Sequence, residues 1–285
     1  MKIVVTGTRG IPGIQGGIET HCEELYPLIA DKQHEIIVVR RPGYAIDHTV
    51  KTYRQVTIKD IKVVRNKYLE AFLHTFLAVL YARRIGADIV HIHAVGPALM
   101  TPIARMLGMK VVVTHHGPDY NREKWGNFAK WILRTGEKAG IHYANHIIVI
   151  AEHIRQMILH KYPSKKNITL IHNGVKAISQ TPGTDFIQGL GLTEYNYILA
   201  VGRLVKEKGF DKLVEVFKQL SSPSLKLVIV GSADHQDSYV QKLKEACRDE
   251  KNICLEKNLR SYMHMRGYLY CRLPMKVYPL HYLKP

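Results

Sequence analysis

The chain has 285 residues, 46% of them hydrophobic and 23% charged, with a formal net charge of +17; such a composition excludes a disordered chain and leaves room for two ordinary cores. The positive charge favours polyanions in general, but no basic stripe interleaved with aromatics and no nucleic-acid motif occurs, so nucleic acid is not an expected partner. The MKIVVTG start lacks a secretion-signal pattern and no run of eighteen apolar residues follows, which predicts a cytoplasmic protein.

The first predicted element is a strand in KIVVTG, followed by a glycine-rich turn. A helix follows over 18–30, with Ile18, Cys22, Leu25, Leu28 and Ile29 on one face and a bend expected at Pro27. EIIVVRR, DIVHIHA, KVVVTHHG and HIIVIA are the next strands, with helix-period stretches at 69–85, 97–107, 127–143 and 151–161. Runs this continuously apolar suit strands buried on both faces, and their alternation with helices gives parallel βαβ units. The first half therefore reads as a Rossmann-like layer structure.

After ITLIHNGV the stretch 176–196 loses its period and gathers Ser, Thr, Pro and Gly, which is linker chemistry. The alternation resumes with YILAVGR, a helix over 209–220, LKLVIVG and a helix over 236–249. The expected organisation is α/β, with a first domain over 1–178, a linker over 179–196 and a second, partial domain over 197–256. Residues 257–285 read differently, with six Lys/Arg and no Asp or Glu, which leaves +11 for the rest of the chain. Cys22, Cys247, Cys254 and Cys271 are scattered without a C-x-x-C pair, so buried or surface thiols are expected in place of zinc or redox work.

Two segments carry chemistry. TGTRGIPGIQGGIE sets Gly7, Gly10, Gly13, Gly16 and Gly17 between a strand and a helix, where backbone N–H groups can approach an anion at the positive helix end. No Gly-Lys-Ser/Thr follows, so this is not a P-loop. It is not G-x-G-x-x-G either, and the second strand ends in Arg40 and Arg41 in place of an acid, which speaks against a dinucleotide site. A merely flexible loop is the plain alternative. The second segment, VGRLVKEKGFDKL over 201–213, presents Arg203 and Lys208 around a strand end and a turn. A bidentate guanidinium beside an ammonium suits a diphosphate; a solvated basic turn is the alternative reading.

Four ordered motifs resemble the retaining glycosyltransferases of family four, which have the GT-B fold of two Rossmann-like domains facing a cleft. They are GGIE from Gly16 to Glu19, VVTHHG from Val112 to Gly117, IHNGV from Ile171 to Val175, and VGRLVKEKGFD from Val201 to Asp211. The longer TGTRGIPGIQGGIE is similar to a bacterial subgroup that builds cell-surface polysaccharide and includes rhamnosyl-transferring members. The resemblance implies a nucleotide-sugar donor held mostly by the second domain, and a saccharide or lipid-linked saccharide acceptor on the first.

Residue by residue, the resemblance implies that Gly16 and Gly17 offer N–H groups to the donor diphosphate, while Arg203 and Lys208 neutralise it as it leaves. Fixed cations stabilise that charge most in the transition state. His116 matches the histidine beside the donor sugar and is the catalytic candidate, although a capped strand-end histidine fits too. His115 should point elsewhere. Glu19 either caps its helix or approaches the acceptor, and His93, on one strand face with His91, is an acceptor-side or packing residue. No Asp-x-Asp occurs, and neither a metal nor any other cofactor is expected. Peripheral contact with the inner face of the membrane is a further expectation, at the basic surface around Arg83 and Arg84.

The chain departs from the family in one place. Members carry a glutamate, seven residues and a second glutamate after an apolar strand and a Pro-Ser turn, yet no glutamate follows Glu256 here. Regrouping the tail's codons, the last base of each with the first two of the next, restores that pattern. Met275 with Lys276 forces a glutamate, and Leu283 with Lys284 permits another eight places on. Tyr270 with Cys271 forces leucine, and Met263 with His264 forces alanine. A frame shift near 252–261 and an incomplete, poorly folding second domain are therefore expected, with a divergent natural terminus as the alternative. The leading functional expectation is a glycosyltransferase by descent whose present chain is inactive. The runner-up is a non-catalytic binding fragment, and an NADP-linked oxidoreductase is a third reading.

Overall fold

A computed structural model describes residues 1–30, 34–64, 69–121, 125–174, 197–202, 204–220, 224–231, 238–248 and 250–256. Arg203, the whole of the expected linker over 179–196 and the tail over 257–285 lie outside the described residues. The chain divides into two compact units, Met1–Lys176 and Ala177–Pro285.

The first unit is built on an eight-stranded sheet: β1 (Lys2–Thr6), β2 (Glu35–Arg40), β3 (Thr52–Tyr53), β4 (Val56–Asp60), β5 (Ile89–His93), β6 (Lys110–His115), β7 (His146–Val149) and β8 (Ile168–Leu170). Their order across the sheet is β3-β4-β2-β1-β5-β6-β7-β8, parallel throughout except for the antiparallel pair of β3 with β4. Its helices are α1 (Gly17–Ala30), α2 (Glu70–Arg84), α3 (Thr101–Met106), α4 (Asn127–Tyr143) and α5 (Glu152–Lys161). Successive strand residues point to opposite faces. Accordingly Val4, Val39, Val90 and Val111 join one buried cluster while Val5, Val38 and Ile58 join another with Cys22, Tyr26 and Ala30 of α1. Burial on both faces is what the continuous apolar runs demanded.

The structure corrects three sequence readings. VTIKD over 56–60 is a strand that the search for continuous apolar runs missed. Val56 and Ile58 are buried while Thr57 and Lys59 are exposed, so its alternation marks a strand wetted on one face. ICLE over 253–256 is also a strand, too short to show a period of its own. Finally, α1 buries Glu19, Cys22, Glu23, Tyr26 and Ala30, whereas Leu28 is 57% exposed. Of the expected face, Cys22 is buried and Ile18 and Ile29 pack against the same cluster; the inward side also takes in the Glu19 and Glu23 carboxylates, drawn by loop N–H groups, which a purely apolar criterion passes over. Pro27 lies inside this helix without ending it.

The second unit contains β9 (Tyr197–Val201), β10 (Lys226–Val230) and β11 (Ile253–Glu256), parallel in the order β11-β10-β9. Two helices, α6 (Phe210–Lys218) and α7 (Ser238–Arg248), flank them. Phe210, Val214, Phe217, Val240 and Leu243 pack on Leu227 and Ile229 of the central strand.

Candidate functional site

The glycine-rich loop of the first unit is braced, not loose. Glu19, 8% exposed, accepts from Thr8 Oγ1 at 3.1 Å and from the Arg9 N–H at 3.0 Å. Glu23 accepts from the Gly13 N–H at 2.8 Å, and the Gly10 N–H donates to Thr8 Oγ1 at 3.1 Å. Glycine is required where the loop leaves β1: Gly7 has φ +89°, and a Cβ there would run into the main chain of His93. Gly16 has φ +153°, and a Cβ on it would strike the Glu19 carboxylate. Gly17 opens α1 with its surroundings clear, and it is exposed. Glu19 therefore ties the loop to the helix, through loop groups and not through the helix's own N–H groups.

Beside this loop, at the carboxyl ends of β1, β5 and β6, lie four imidazoles. His93 Nδ1 is 2.9 Å from His116 Nε2, and His93 Nε2 is 2.6 Å from the Tyr26 hydroxyl. The same hydroxyl is 2.8 Å from His91 Nδ1, and His91 Nε2 is 2.7 Å from Thr114 Oγ1. His91 and His93 stack at 4.4 Å and His93 and His116 at 5.2 Å, with His21 of α1 edge-on to His116 at 5.5 Å. Burial, reinforced by the neighbouring imidazoles, pushes His91 and His116 down to about 3 and His93 well below its ordinary value. All three are neutral at physiological pH. His93, wholly buried, lies in direct hydrogen bond to the catalytic candidate His116. The helix reading did not single out Tyr26, which joins the two strand histidines; its place four residues after Cys22 was the available signal.

His115 points elsewhere, as expected of its position. Its Nε2 donates to Glu137 Oε1 at 3.0 Å, and its Nδ1 accepts from the Gly117 N–H at 3.1 Å. Glu137 also accepts from the Tyr120 hydroxyl at 3.0 Å and from Lys161 Nζ at 3.1 Å. Burial alone would raise the Glu137 carboxyl, but the hydrogen bonds and charges of His115 and Lys161 outweigh it and hold it below its ordinary value. This cluster anchors the turn that carries His116.

Farther along the same sheet a cavity of about 710 Å³ is lined by Arg41, His48, Lys51, Asp60, Lys62 and Glu70, among others. The Arg41 side chain is 11% exposed and its nearest recorded carboxylate, Glu70, is 4.0 Å away; its Nε has no hydrogen-bond partner. On the second unit, Lys208 closes the short helical turn Lys206–Lys208 and is exposed, ahead of Gly209 at φ +67° and the start of α6. Arg203 is outside the described residues. No helix among the described residues is long and apolar enough to cross a membrane.

A doubly wound parallel sheet with a cluster of imidazoles at its strand ends, followed by a second parallel α/β unit, together with the matches below, defines a GT-B glycosyltransferase fold. The family model described as Glycosyltransferase Family 4 matches residues 15–177, and that described as Glycosyl transferases group 1 matches residues 184–265. The chain belongs to glycosyltransferase family 4. It is 24% identical over 263 residues to an uncharacterized glycosyltransferase of Methanocaldococcus jannaschii, covering 83% of this chain and 64% of that protein. It is also 24% identical over 246 residues to the capsular polysaccharide biosynthesis glycosyltransferase CapM of Staphylococcus aureus, covering 82% and 62%. The chain thus spans just under two thirds of the length of both relatives. Among solved structures, HepE of Anabaena, in complex with UDP and glucose, superposes with a TM-score of 0.70 at 17% identity, covering 90% of this chain and 68% of that one.

Proposed function

We propose that the chain derives from a retaining, nucleotide-sugar-dependent glycosyltransferase of cell-surface polysaccharide assembly, related to the rhamnosyl-transferring subgroup and acting in the cytoplasm. The observation that carries the reading is the ordered match to both glycosyltransferase halves, over 15–177 and 184–265. The kinship with CapM, a capsular polysaccharide biosynthesis glycosyltransferase, supports the pathway class. On the second unit, Arg203 and Lys208 are the proposed cations for the donor diphosphate. On the first, the N–H groups of Gly16 and Gly17 are the proposed anion donors, His116 the residue at the donor sugar, and His93 its support. The reaction we propose needs no metal, since these cations and N–H groups supply the electrostatic stabilisation.

The acceptor, a saccharide or lipid-linked saccharide, is assigned to the first unit. The cavity at Arg41, Lys51 and Lys62 suits one that bears an anionic group, because a mostly buried guanidinium without a full complement of acceptors gains most from one. Exposed Arg83 and Arg84 end α2 and are the proposed points of any contact with anionic lipid.

Calorimetric titration of the chain with UDP and UDP-glucose tests the donor site. Binding is expected to weaken about tenfold or more in Arg203→Ala and in Lys208→Ala, the loss of one charge-assisted contact each. Equal affinity in both variants and the parent chain would remove these residues from the site.

The further part of the proposal concerns the coding frame. The group 1 match ends at residue 265, and regrouping the codons of the acid-free stretch beyond Glu256 forces one glutamate at 275 and permits a second eight places on. We therefore expect little or no sugar transfer by the chain as it stands. Sequencing the gene from codon 245 onward decides the matter: no shifted frame running open past the second glutamate codon means no frame shift. Robust turnover by the purified chain would refute the expected inactivity.

A further inference from the structure

Five side chains from α1, β5, β6 and the residue after β6 form one unbroken hydrogen-bonded row. It runs from His116 through His93, Tyr26 and His91 to Thr114, with links of 2.9, 2.6, 2.8 and 2.7 Å. Each member, uncharged, carries a single hydrogen on its ring nitrogens or hydroxyl. Five hydrogens therefore serve four links, and each link works only with one hydrogen in it. An imidazole passes the direction on, since one nitrogen donates and the other accepts, whereas the Tyr26 oxygen can accept twice; the fifth hydrogen therefore sits at an end of the row or on Tyr26.

Three arrangements satisfy this count. In one, Thr114 donates to His91, His91 to Tyr26, Tyr26 to His93 and His93 to His116, and the fifth hydrogen sits on His116 Nδ1. In the second every bond is reversed, and the Thr114 hydroxyl hydrogen has to find an acceptor outside the row; in the third Tyr26 accepts from both His91 and His93, and its own hydrogen is the one left over. Thr114 is 1% exposed, and among the described residues its hydroxyl has no hydrogen-bond partner but His91. Tyr26 is likewise 1% exposed, and among the described residues its hydroxyl has no hydrogen-bond partner but the two rings; a buried hydroxyl hydrogen without an acceptor is costly, which disfavours the second and third arrangements. His116 is partly exposed, and its Nδ1 has no partner among the described residues, so the fifth hydrogen is free there to meet water or a ligand.

We infer that the row is polarised in one direction, with His91, His93 and His116 all carrying their hydrogen on Nδ1, so that His116 meets its ligand as a donor and Tyr26 is the positioning residue that makes it so. The depressed basicity of the three rings agrees with a row that carries no extra proton. His116 then acts as neither general base nor cationic acid. It selects a ligand atom with a lone pair to offer, such as a sugar hydroxyl or phosphoryl oxygen. The nature of that ligand rests on the glycosyltransferase reading; the polarity of the row does not.

The test is long-range proton–nitrogen NMR on the full chain with 15N-labelled histidines, which separates Nδ1–H from Nε2–H rings, with signals assigned by single His→Gln replacements. The expected result is the Nδ1–H pattern for all three; an Nε2–H pattern at any of them overturns the inference. Tyr26→Phe cuts the row in the middle, and the Nε2–H form of His116 is expected to rise from below about one part in ten to a comparable share, the worth of one hydrogen bond. Thr114→Ser, which keeps the hydroxyl, is expected to change nothing. Should Tyr26→Phe fail to fold, Thr114→Val takes its place, since it removes the donor that sets the direction. An unchanged His116 pattern in the cut row would show that packing, not Tyr26, fixes the ring. An Nδ1–H pattern in a chain that binds no nucleotide-sugar supports the inference and counts only against the glycosyltransferase reading.

Discussion

Acidification from pH 7.5 to 5 is expected to destabilise the first unit by about 6 kcal/mol, before most carboxylates begin to titrate. His74, His91 and His93 are 0%, 8% and 0% exposed. Burial, aided by Arg41, lowers His74 to about 4, and burial with neighbouring imidazoles lowers His91 to about 3 and His93 further. The unfolded chain binds a proton at each of these rings near pH 6.5, whereas the folded chain does not until far lower. Stability is therefore fully present above pH 6.5 and drains away as the pH falls toward the folded values. At pH 5 each ring contributes a loss of about 2 kcal/mol. His116 adds part of another such step, and His21, also lowered by burial, a smaller one. A total near 6 kcal/mol is a large share of the 5–15 kcal/mol that holds a typical domain together.

Urea denaturation followed at pH 7.5, 6 and 5 measures this directly. The midpoint should already fall between pH 6.5 and 5. A midpoint flat to pH 4.5 and dropping only below it would assign acid sensitivity to carboxylates such as Asp60 and Glu137 instead. Those two are held below their ordinary values because Arg40 and Lys51, or His115 and Lys161, outweigh the effect of burial, so their contribution is lost only at lower pH.

Glu137→Ala is expected to cost about 3–5 kcal/mol, the usual penalty for removing one partner of a buried charged cluster. The carboxylate, 4% exposed, takes hydrogen bonds from three elements: His115 at the end of β6, Tyr120 in the turn after it, and Lys161 at the end of α5. Alanine would leave the His115 Nε2–H buried without an acceptor and Lys161 without its counter-charge. Glu137→Gln keeps the shape and one acceptor and should lose about half as much. Lys161→Met, at a side chain 39% exposed, should fall within about 1 kcal/mol of the parent chain. Chemical denaturation of the three variants at pH 7.5 gives the ranking, and a Glu137→Ala midpoint no lower than that of Lys161→Met would contradict it.

The parallel sheet of the first unit was legible because its strands are apolar on both faces, and a run such as KIVVT or EIIVV admits few other readings. β4 escaped because one of its faces is wet. The loop glycines were legible as a group, yet their partners were not: Glu19 and Glu23 occupy the buried side of α1 for the sake of the Thr8 hydroxyl and the Arg9 and Gly13 N–H groups, ten or eleven residues away, and apolar periodicity cannot register that. His93 and His116 were singled out separately, by strand parity and by resemblance. Their contact across β5 and β6 depends on strand pairing, in which His93 stands opposite Thr114. Tyr26 and Glu137 enter from helices whose registry no single-chain pattern specifies.

The bracing of the glycine loop has a bearing on how such enzymes diverge or are re-engineered. Glu19 holds Thr8 and Arg9, Glu23 holds Gly13, and the Arg41 N–H donates to the Arg9 carbonyl at 2.9 Å. Single substitutions in the loop would break a shared brace before they altered any ligand contact. Sequence change in the loop is thus coupled to the first turns of α1 and to the strand end at Arg41, so that any exchange of the loop would have to carry Glu19 and Glu23 with it and keep the Arg41 contact.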